Sequence, residues 1–414
     1  MPVNSLEFLI GVFFVAAVFP LARAAWLRRF LLASSTAIFL STHVPNSSTW
    51  LALAAFLFSG YGMAVLVRRR PSPALVALYL FGLVAVFLYL QRYDFLALFL
   101  PDSLLRHPIG IVGLSYMLFR QIHFIVDTLQ GQIPRATLWE YLNYQLNLFG
   151  LIAGPIQRHQ EFSKYWAEPI GCFPDRHEVL KTYARIFLGV LKLSGLSALF
   201  LFAYEEFSKR LLDIHSGNHH PGRWSAMLQF GVTFYAYPAY VYFNFSGYCD
   251  IVIGCARLIG LKMPENFDRP YLARNMIDYW NRWHKSLSFW IRDYVFTPLY
   301  KTVAHRWPRR SLSLAIPCYF IALFLAGVWH GSTWNWVVFG LLNGLGVSAA
   351  KLWENHLVNQ RGRAGLKRYL QSTGIRSIAV FCNLNFACVT ILFFPSDLDQ
   401  SLNILAGFYR GVTQ

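Results

Sequence analysis

Apolar residues along this chain run in long unbroken blocks and do not alternate with polar ones. Blocks of spanning length occupy residues 6–21, 30–42, 51–67, 74–90, 109–126, 186–204, 312–329, 334–350 and 375–394. Residues 226–260 hold enough apolar sequence for two spans bent near Pro238. A helix of about 20 such residues crosses a hydrocarbon layer of ~30 Å, and in lipid only helices or closed barrels pair every backbone group. These blocks are too long and too uniformly apolar for barrel strands. The pattern predicts an all-α, polytopic transmembrane helical bundle of about ten to eleven spans around a central cavity, with re-entrant and interfacial helices besides. The block at 6–21 has no small-residue cleavage site and further blocks follow it, so it reads as a first span and not as a removable signal. No long hydrophilic linker and no internal repeat divides the series, which predicts one membrane domain over residues 1–414.

The polar interruptions add detail. Residues 139–156 run into Gly154-Pro155, a pair that breaks a helix, so a re-entrant segment is expected there, with Gln157, Arg158 and His159 at headgroup level. Residues 161–185 read as an interfacial amphipathic region and residues 205–224 as the most hydrophilic loop. Tyr116, Arg120 and His123 share one helix face by their spacing. That face either lines a polar cavity or emerges into water.

Composition agrees with the pattern. The chain is 56% hydrophobic and 17% aromatic but only 14% charged, whereas a soluble domain usually carries about a quarter charged residues. Lysine and arginine number 37 against 20 acidic residues, a formal charge of +17. The basic residues gather in short connections at Arg28-Arg29, Arg68-Arg69-Arg70, 301–310 and 361–368. Such clusters fix orientation toward the cytoplasm and meet anionic lipid, which removes the nucleic-acid reading that the charge would otherwise invite. The six cysteines (Cys172, Cys249, Cys255, Cys318, Cys382, Cys388) form no Cys-x-x-Cys pair and read as small hydrophobes; no metal framework is expected. His215, His219 and His220 read as a solvated loop.

Candidate chemistry lies between residues 279 and 346. His284 sits in Trp280-Asn281-Arg282-Trp283-His284-Lys285-Ser286-Leu287-Ser288-Phe289-Trp290, and His330 in Val328-Trp329-His330-Gly331, at the end of an apolar block. An ionisable side chain at membrane depth is costly and so marks a functional candidate, although a neutral histidine hydrogen-bonded inside a bundle explains either residue equally well on chemistry alone. Residues 278–300 hold too many charges to face lipid, so an amphipathic helix or pair of helices is expected, with its tryptophans at the interface. Asp250, with Asn244 and Ser246, interrupts an apolar block and needs a cationic partner; Arg282 or Arg292 is the natural choice.

The order of several motifs resembles the membrane-bound O-acyltransferase family, in particular its bacterial branch of alginate O-acetyltransferases and teichoic-acid D-alanyl-transfer proteins. The motifs are Tyr242-Phe243-Asn244-Phe245-Ser246-Gly247-Tyr248-Cys249-Asp250, Pro264-Glu265-Asn266-Phe267, the His284 run and Trp329-His330-Gly331. Shorter echoes occur at Gly113-Leu114-Ser115-Tyr116, Ala153-Gly154-Pro155-Ile156-Gln157-Arg158 and Phe393-Phe394-Pro395. The resemblance implies a multi-pass protein of the bacterial inner membrane in which His330 is the general base and His284 a second site residue. It implies supporting or substrate-binding roles for Asn281, Arg282, Asp250, Trp329, Arg158 and Ser246. It also implies an acyl donor arriving as a coenzyme A or acyl-carrier-protein thioester, with no permanently bound cofactor and no metal. A periplasmic or membrane-anchored acyltransferase partner would complete delivery to a polysaccharide acceptor. Acetyl is the leading acyl group and D-alanyl the alternative. Where many members carry a further histidine, Asn343 stands. The sequence has no Gly-x-Ser-x-Gly elbow. The rival from another class is a transporter or scaffold with a polar cavity; lipid or protein acylation would differ only in acceptor.

Overall fold

Backbone pairing inside each helix satisfies an apolar chain in lipid, and the computed structural model is all-helical, with no strand among the described residues. It describes residues 24–44, 46–106, 109–167, 176–219, 221–394 and 398–413, with scattered positions before residue 24. Most of the expected first span, Cys172 and His220 lie outside the described residues. The chain gathers into two compact units, Met1–Leu191 with Gly247–Glu265, and Lys192–Ser246 with Asn266–Gln414.

The first unit begins with α1 (Ala25–His43), α2 (Ser47–Arg69) and α3 (Pro73–Leu90). Asn46 and Ser72 set where α2 and α3 start, because their side chains accept the Thr49 and Leu75 amides at 2.8 and 3.3 Å. Next come α4 (Leu114–Leu129), α5 (Leu138–Gln145), α6 (His159–Ala167) and α7 (Arg176–Val190). Tyr116, Arg120 and His123 on α4 are buried, so this face does not emerge into water. Arg120 Nη1 donates to the carbonyls of Tyr144 and Gln145 at 3.1 and 2.9 Å. A cation there meets the negative end of α5. His123 Nε2 accepts the His159 amide at 2.8 Å, while its Nδ1 lies 3.3 Å from Asp127. The chain past α5 is irregular through Gly154-Pro155 and buried, as a re-entrant segment requires. Gln157 and His159 are buried within the protein, and Gln157 Nε2 donates to the Lys262 carbonyl at 2.8 Å.

The second unit holds α8 (Ser197–His215), reached from α7 through a π-helical turn at Leu191–Leu196, and most of α9 (Arg223–Leu258). The expected hydrophilic loop after residue 204 is therefore helical as far as His215. The segment expected as two spans is one 36-residue helix that continues through Pro238. Short α10 (Met276–Trp280), α11 (Lys285–Ile291) and α12 (Thr297–Arg306) follow, with a π-helical turn at Arg292–Phe296. The unit ends with α13 (Ser311–Trp329), α14 (Trp334–Gln371), α15 (Thr373–Ile391) and α16 (Leu398–Thr413). The basic stretches at 301–310 and 361–368 are largely helical, the second broken at Gly362 (φ 64°). α13 and α14 approach so closely that a Cβ on Gly327 would strike Gly340, the close small-residue contact typical of membrane helices.

Among the described residues, five helices are long and apolar enough to cross a membrane: Ser47–Arg69, Pro73–Leu90, Arg176–His215, Trp334–Gln371 and Thr373–Ile391; Ser313–Trp329 is a shorter apolar helix. The expected ten to eleven spans are not confirmed. α4 has only 16 residues, and polar side chains dilute the apolar content of α1 and α9.

Candidate active site

His330 caps the C-terminus of α13, where its backbone amide still reaches the Gly327 carbonyl at 3.0 Å. Its Nδ1 lies 2.6 Å from the Ala326 carbonyl oxygen. The ring stacks on Trp336 (centroids 5.7 Å apart, planes at 15°) and meets the edges or faces of Trp329, Phe339 and Phe394 at 4.9, 5.7 and 6.0 Å. Trp336 and Phe339 come from the first turns of α14. Phe394 is brought in by Asn335, whose Nδ2 donates to the Phe393 carbonyl at 3.0 Å. Gly331 is required next to His330, because a Cβ there would collide with the Trp336 indole. The imidazole is half-buried.

His284 stands 6.4 Å from His330, ring centre to ring centre. It joins α10 to α11 in the left-handed conformation (φ 41°, ψ 53°), which a non-glycine residue adopts at a cost of ~1–2 kcal/mol. The Pro-Glu-Asn-Phe motif explains how it is held there. The Asn266 carbonyl accepts the Lys285 amide at 2.9 Å, the Asn266 side chain accepts the Ser286 amide at 3.2 Å, and the Asp268 amide reaches the Arg282 carbonyl at 2.9 Å. The His284 ring is 2% exposed, meets Phe245 edge-on at 4.8 Å, and neither ring nitrogen has a hydrogen-bond partner. An unmet buried donor or acceptor typically costs ~1–3 kcal/mol, so the position is not chosen for stability. His284 lies outside the spanning helices; burial, then the neighbouring His330, push its imidazole well below the usual histidine range, so it is neutral.

The other residues singled out by the sequence divide. Trp329 lies in ring contact with both histidines, at 6.4 Å from His284. Ser246 is buried on α9 with its hydroxyl unpartnered. Arg282 does not reach Asp250: its Nε donates to Asp278 at 2.8 Å, and Asp278 also takes the Arg274 amide at 3.1 Å. Burial alone would raise the Asp278 carboxyl, but these bonds and the two guanidinium charges hold it below its ordinary range. The same bond to Asp278 holds Arg282 above its own. Asp250 belongs to the first unit, where it takes Arg185 Nε at 2.9 Å; Arg292 pairs with Asp293 at 2.8 Å. Arg185 also grips Glu265 with two nitrogens, at 2.6 and 2.5 Å. Arg158, half-buried in the first unit, opens α6 through its carbonyl, which accepts the Glu161 amide at 3.2 Å. Exposed Asn281 lines a cavity of about 250 Å³ with Trp280, Ser288, Phe289, Arg292 and Ala326. The cavity ends at the residue whose carbonyl holds His330, and neither histidine lines it.

Sequence reading missed Arg185, because its partners stand 65 and 80 positions away. It also missed the enclosure: Trp336 and Phe339 had looked like ordinary span residues, and Phe394 stood only in a short motif echo. Asn343 proves structural: it is buried, and its side-chain oxygen accepts the Trp280 indole N–H at 3.2 Å.

Two neighbouring imidazoles in an aromatic enclosure, His284 unpaired and His330 held through Nδ1 alone, suit acid–base chemistry on a group passing between them, and the comparisons with known proteins lie in that direction. A teichoic acid D-alanyltransferase of Streptococcus thermophilus is 29% identical over 305 residues, 70% of this chain and 70% of that protein. A peptidoglycan O-acetyltransferase of Helicobacter pylori is 27% identical over 333 residues, 73% of this chain and 57% of its own. An alginate O-acetylase of Pseudomonas fluorescens is 29% identical over 257 residues, 61% of this chain and 47% of its own. This chain thus spans from about half to about two thirds of the length of these relatives. The model of the membrane-bound O-acyltransferase family matches residues 111–393, which include both histidines, and the chain belongs to that family.

Proposed function

We propose that this protein is an O-acyltransferase that moves an acyl group from a cytoplasmic thioester across the membrane for O-acylation of an envelope or exported polysaccharide, with His330 as general base. One observation carries the reading: His330 Nδ1 lies 2.6 Å from the Ala326 carbonyl. A carbonyl oxygen only accepts, so Nδ1 carries the ring proton and Nε2 keeps the lone pair that a base needs. Nε2 takes the proton of the acceptor hydroxyl as its oxygen attacks the thioester carbonyl. The C–S bond then breaks, the ester forms, and the thiolate recovers the proton from the imidazolium. General-base help of this kind is typically worth ~10²–10⁴-fold. His284, neutral and unpartnered, has an N–H to offer the carbonyl oxygen as charge builds on it.

The donor is a coenzyme A or acyl-carrier-protein thioester that arrives and leaves, and a periplasmic or membrane-anchored acyltransferase partner completes delivery to the polymer. The setting is the bacterial inner membrane, crossed several times. Acetyl is the favoured acyl group. The rings around His330 are Trp329, Trp336, Phe339, Phe394 and His284, none of which carries a charge to pair with the ammonium of a D-alanyl group. Stripping water from an ammonium costs several kcal/mol, more than the ~0.5–2 kcal/mol an aromatic face returns. D-alanyl transfer is the second reading, favoured by the 70% coverage shared with the Streptococcus thermophilus relative.

The test is His330→Gln expressed at wild-type level, with polymer-bound acyl groups released as hydroxamates and identified by mass. The expected result is a fall of at least 10²-fold with the protein still membrane-inserted. Acetyl hydroxamate in the wild type supports the first reading and D-alanyl hydroxamate the second. Undiminished esters in the variant would point instead to a transporter or scaffold.

A further inference from the structure

The first unit carries a groove apart from the histidine pair, which belongs to the second. It is about 380 Å³ in volume, floored by the small side chains Ala33 and Ala37 of α1 and walled by Leu40, Trp50 of α2, and Trp139 and Leu146 of α5. Besides Ser34, its polar side chains are bonded to their own helices. Thr36 Oγ1 donates to the Leu32 carbonyl at 3.0 Å and Asn143 Nδ2 to the Trp139 carbonyl at 2.9 Å. With those donors used internally, the wall suits hydrocarbon better than water or a polar headgroup.

Length and charge narrow the occupant further. The groove follows α1 from Phe30 to Leu40, which at 1.5 Å per residue is about 15 Å. That is half of a hydrocarbon core of ~30 Å, the depth of one leaflet. Arg29 lies one turn beyond Ala33 on the same face. Its guanidinium sits 4.8 Å over the Trp166 ring, and Nη2 donates to the Trp166 carbonyl at 2.5 Å. A guanidinium has five N–H donors, so the fixed group still has donors to give, and Arg28 is its neighbour. An apolar slot one leaflet deep with arginines at its end matches one lipid class, a phospholipid with net negative charge.

We propose that this groove retains one anionic phospholipid as a bound ligand, with an acyl chain along α1 and the phosphate at Arg29 and Arg28. The site does not depend on the acyl-transfer reading and is tested separately from it. The full chain would be reconstituted in phosphatidylglycerol nanodiscs, extracted into mild detergent, washed, and its phospholipid counted per protein by mass spectrometry. The wild type should keep about one phosphatidylglycerol. Ala37→Trp, at an exposed position in the floor, should lower retention at least five-fold, and so should Arg29→Gln. Leu78→Trp, exposed on α3, should not. Melting in the same detergent identifies a variant that has merely unfolded, and Ala33→Leu then replaces Ala37→Trp. The proposal is overturned if the wild type keeps none, if folded floor variants keep as much, or if phosphatidylcholine is retained equally. It is also overturned if a stoichiometric polypeptide co-purifies and is lost from the floor variants, since the groove would then hold a partner helix.

Discussion

Gly331→Ala puts the greatest weight on the geometry around His330. A Cβ at residue 331 would fall on Nε1, Cδ1 and Cε2 of Trp336, the indole that stacks on the His330 ring. The indole or the turn must then move. Overpacking of this size typically costs ~1–3 kcal/mol, so about 2 kcal/mol is expected. All three colliding atoms belong to the indole, which an alanine at 336 would remove. On a Trp336→Ala background the same glycine change should therefore cost less than ~0.5 kcal/mol, a coupling of ~1–2 kcal/mol between residues in contact. Displacing His330 by ~1 Å is expected to lower acyl transfer by about 10²-fold in the single variant. Equilibrium unfolding of the wild type, both single variants and the double variant in one detergent gives the cycle, and ester content of the polymer gives activity. Additivity within ~0.5 kcal/mol would show that the two side chains do not meet and would refute the arrangement.

Two further outcomes follow from buried pairs. Asn343→Leu leaves the Trp280 indole N–H without its acceptor and should destabilise the chain by ~1–3 kcal/mol, read as a lower unfolding midpoint; an unchanged midpoint would contradict the buried contact. Asp278 has a folded-state pKa below its ordinary 3.8, so its contribution is complete above that value and is lost as pH falls through the lowered one. The stability gap between wild type and Asp278→Asn should be wide at pH 7 and should narrow below about pH 4; a gap that does not change with pH would mean the carboxylate is not held by Arg274 and Arg282.

Much of the site was legible because its chemistry conflicts with its setting. Histidine, arginine and aspartate among apolar blocks are costly in lipid, and that cost makes His284, His330 and Asp250 visible without coordinates. Their partners were not legible. A carboxylate on α9 is satisfied equally well by any arginine within reach, and sequence order suggested Arg282 where folding supplies Arg185. Helix bounds failed where periodicity gives no stop signal. The 36 residues of α9 carry one proline, which bends or ends a helix depending on its surroundings, and here the helix continues through it.

By itself the sequence determined the solvent, the all-helical answer to that solvent, and the two imidazoles that do not belong in it. These follow from transfer free energies, which depend on composition and run length alone. The tertiary structure decided which nitrogen of His330 keeps its lone pair, which rings enclose it, and that His284 is buried with both nitrogens unmatched. Hydrogen-bond direction and aromatic contact are set by distances of a few ångströms between segments far apart in the chain. A one-dimensional pattern does not carry those distances.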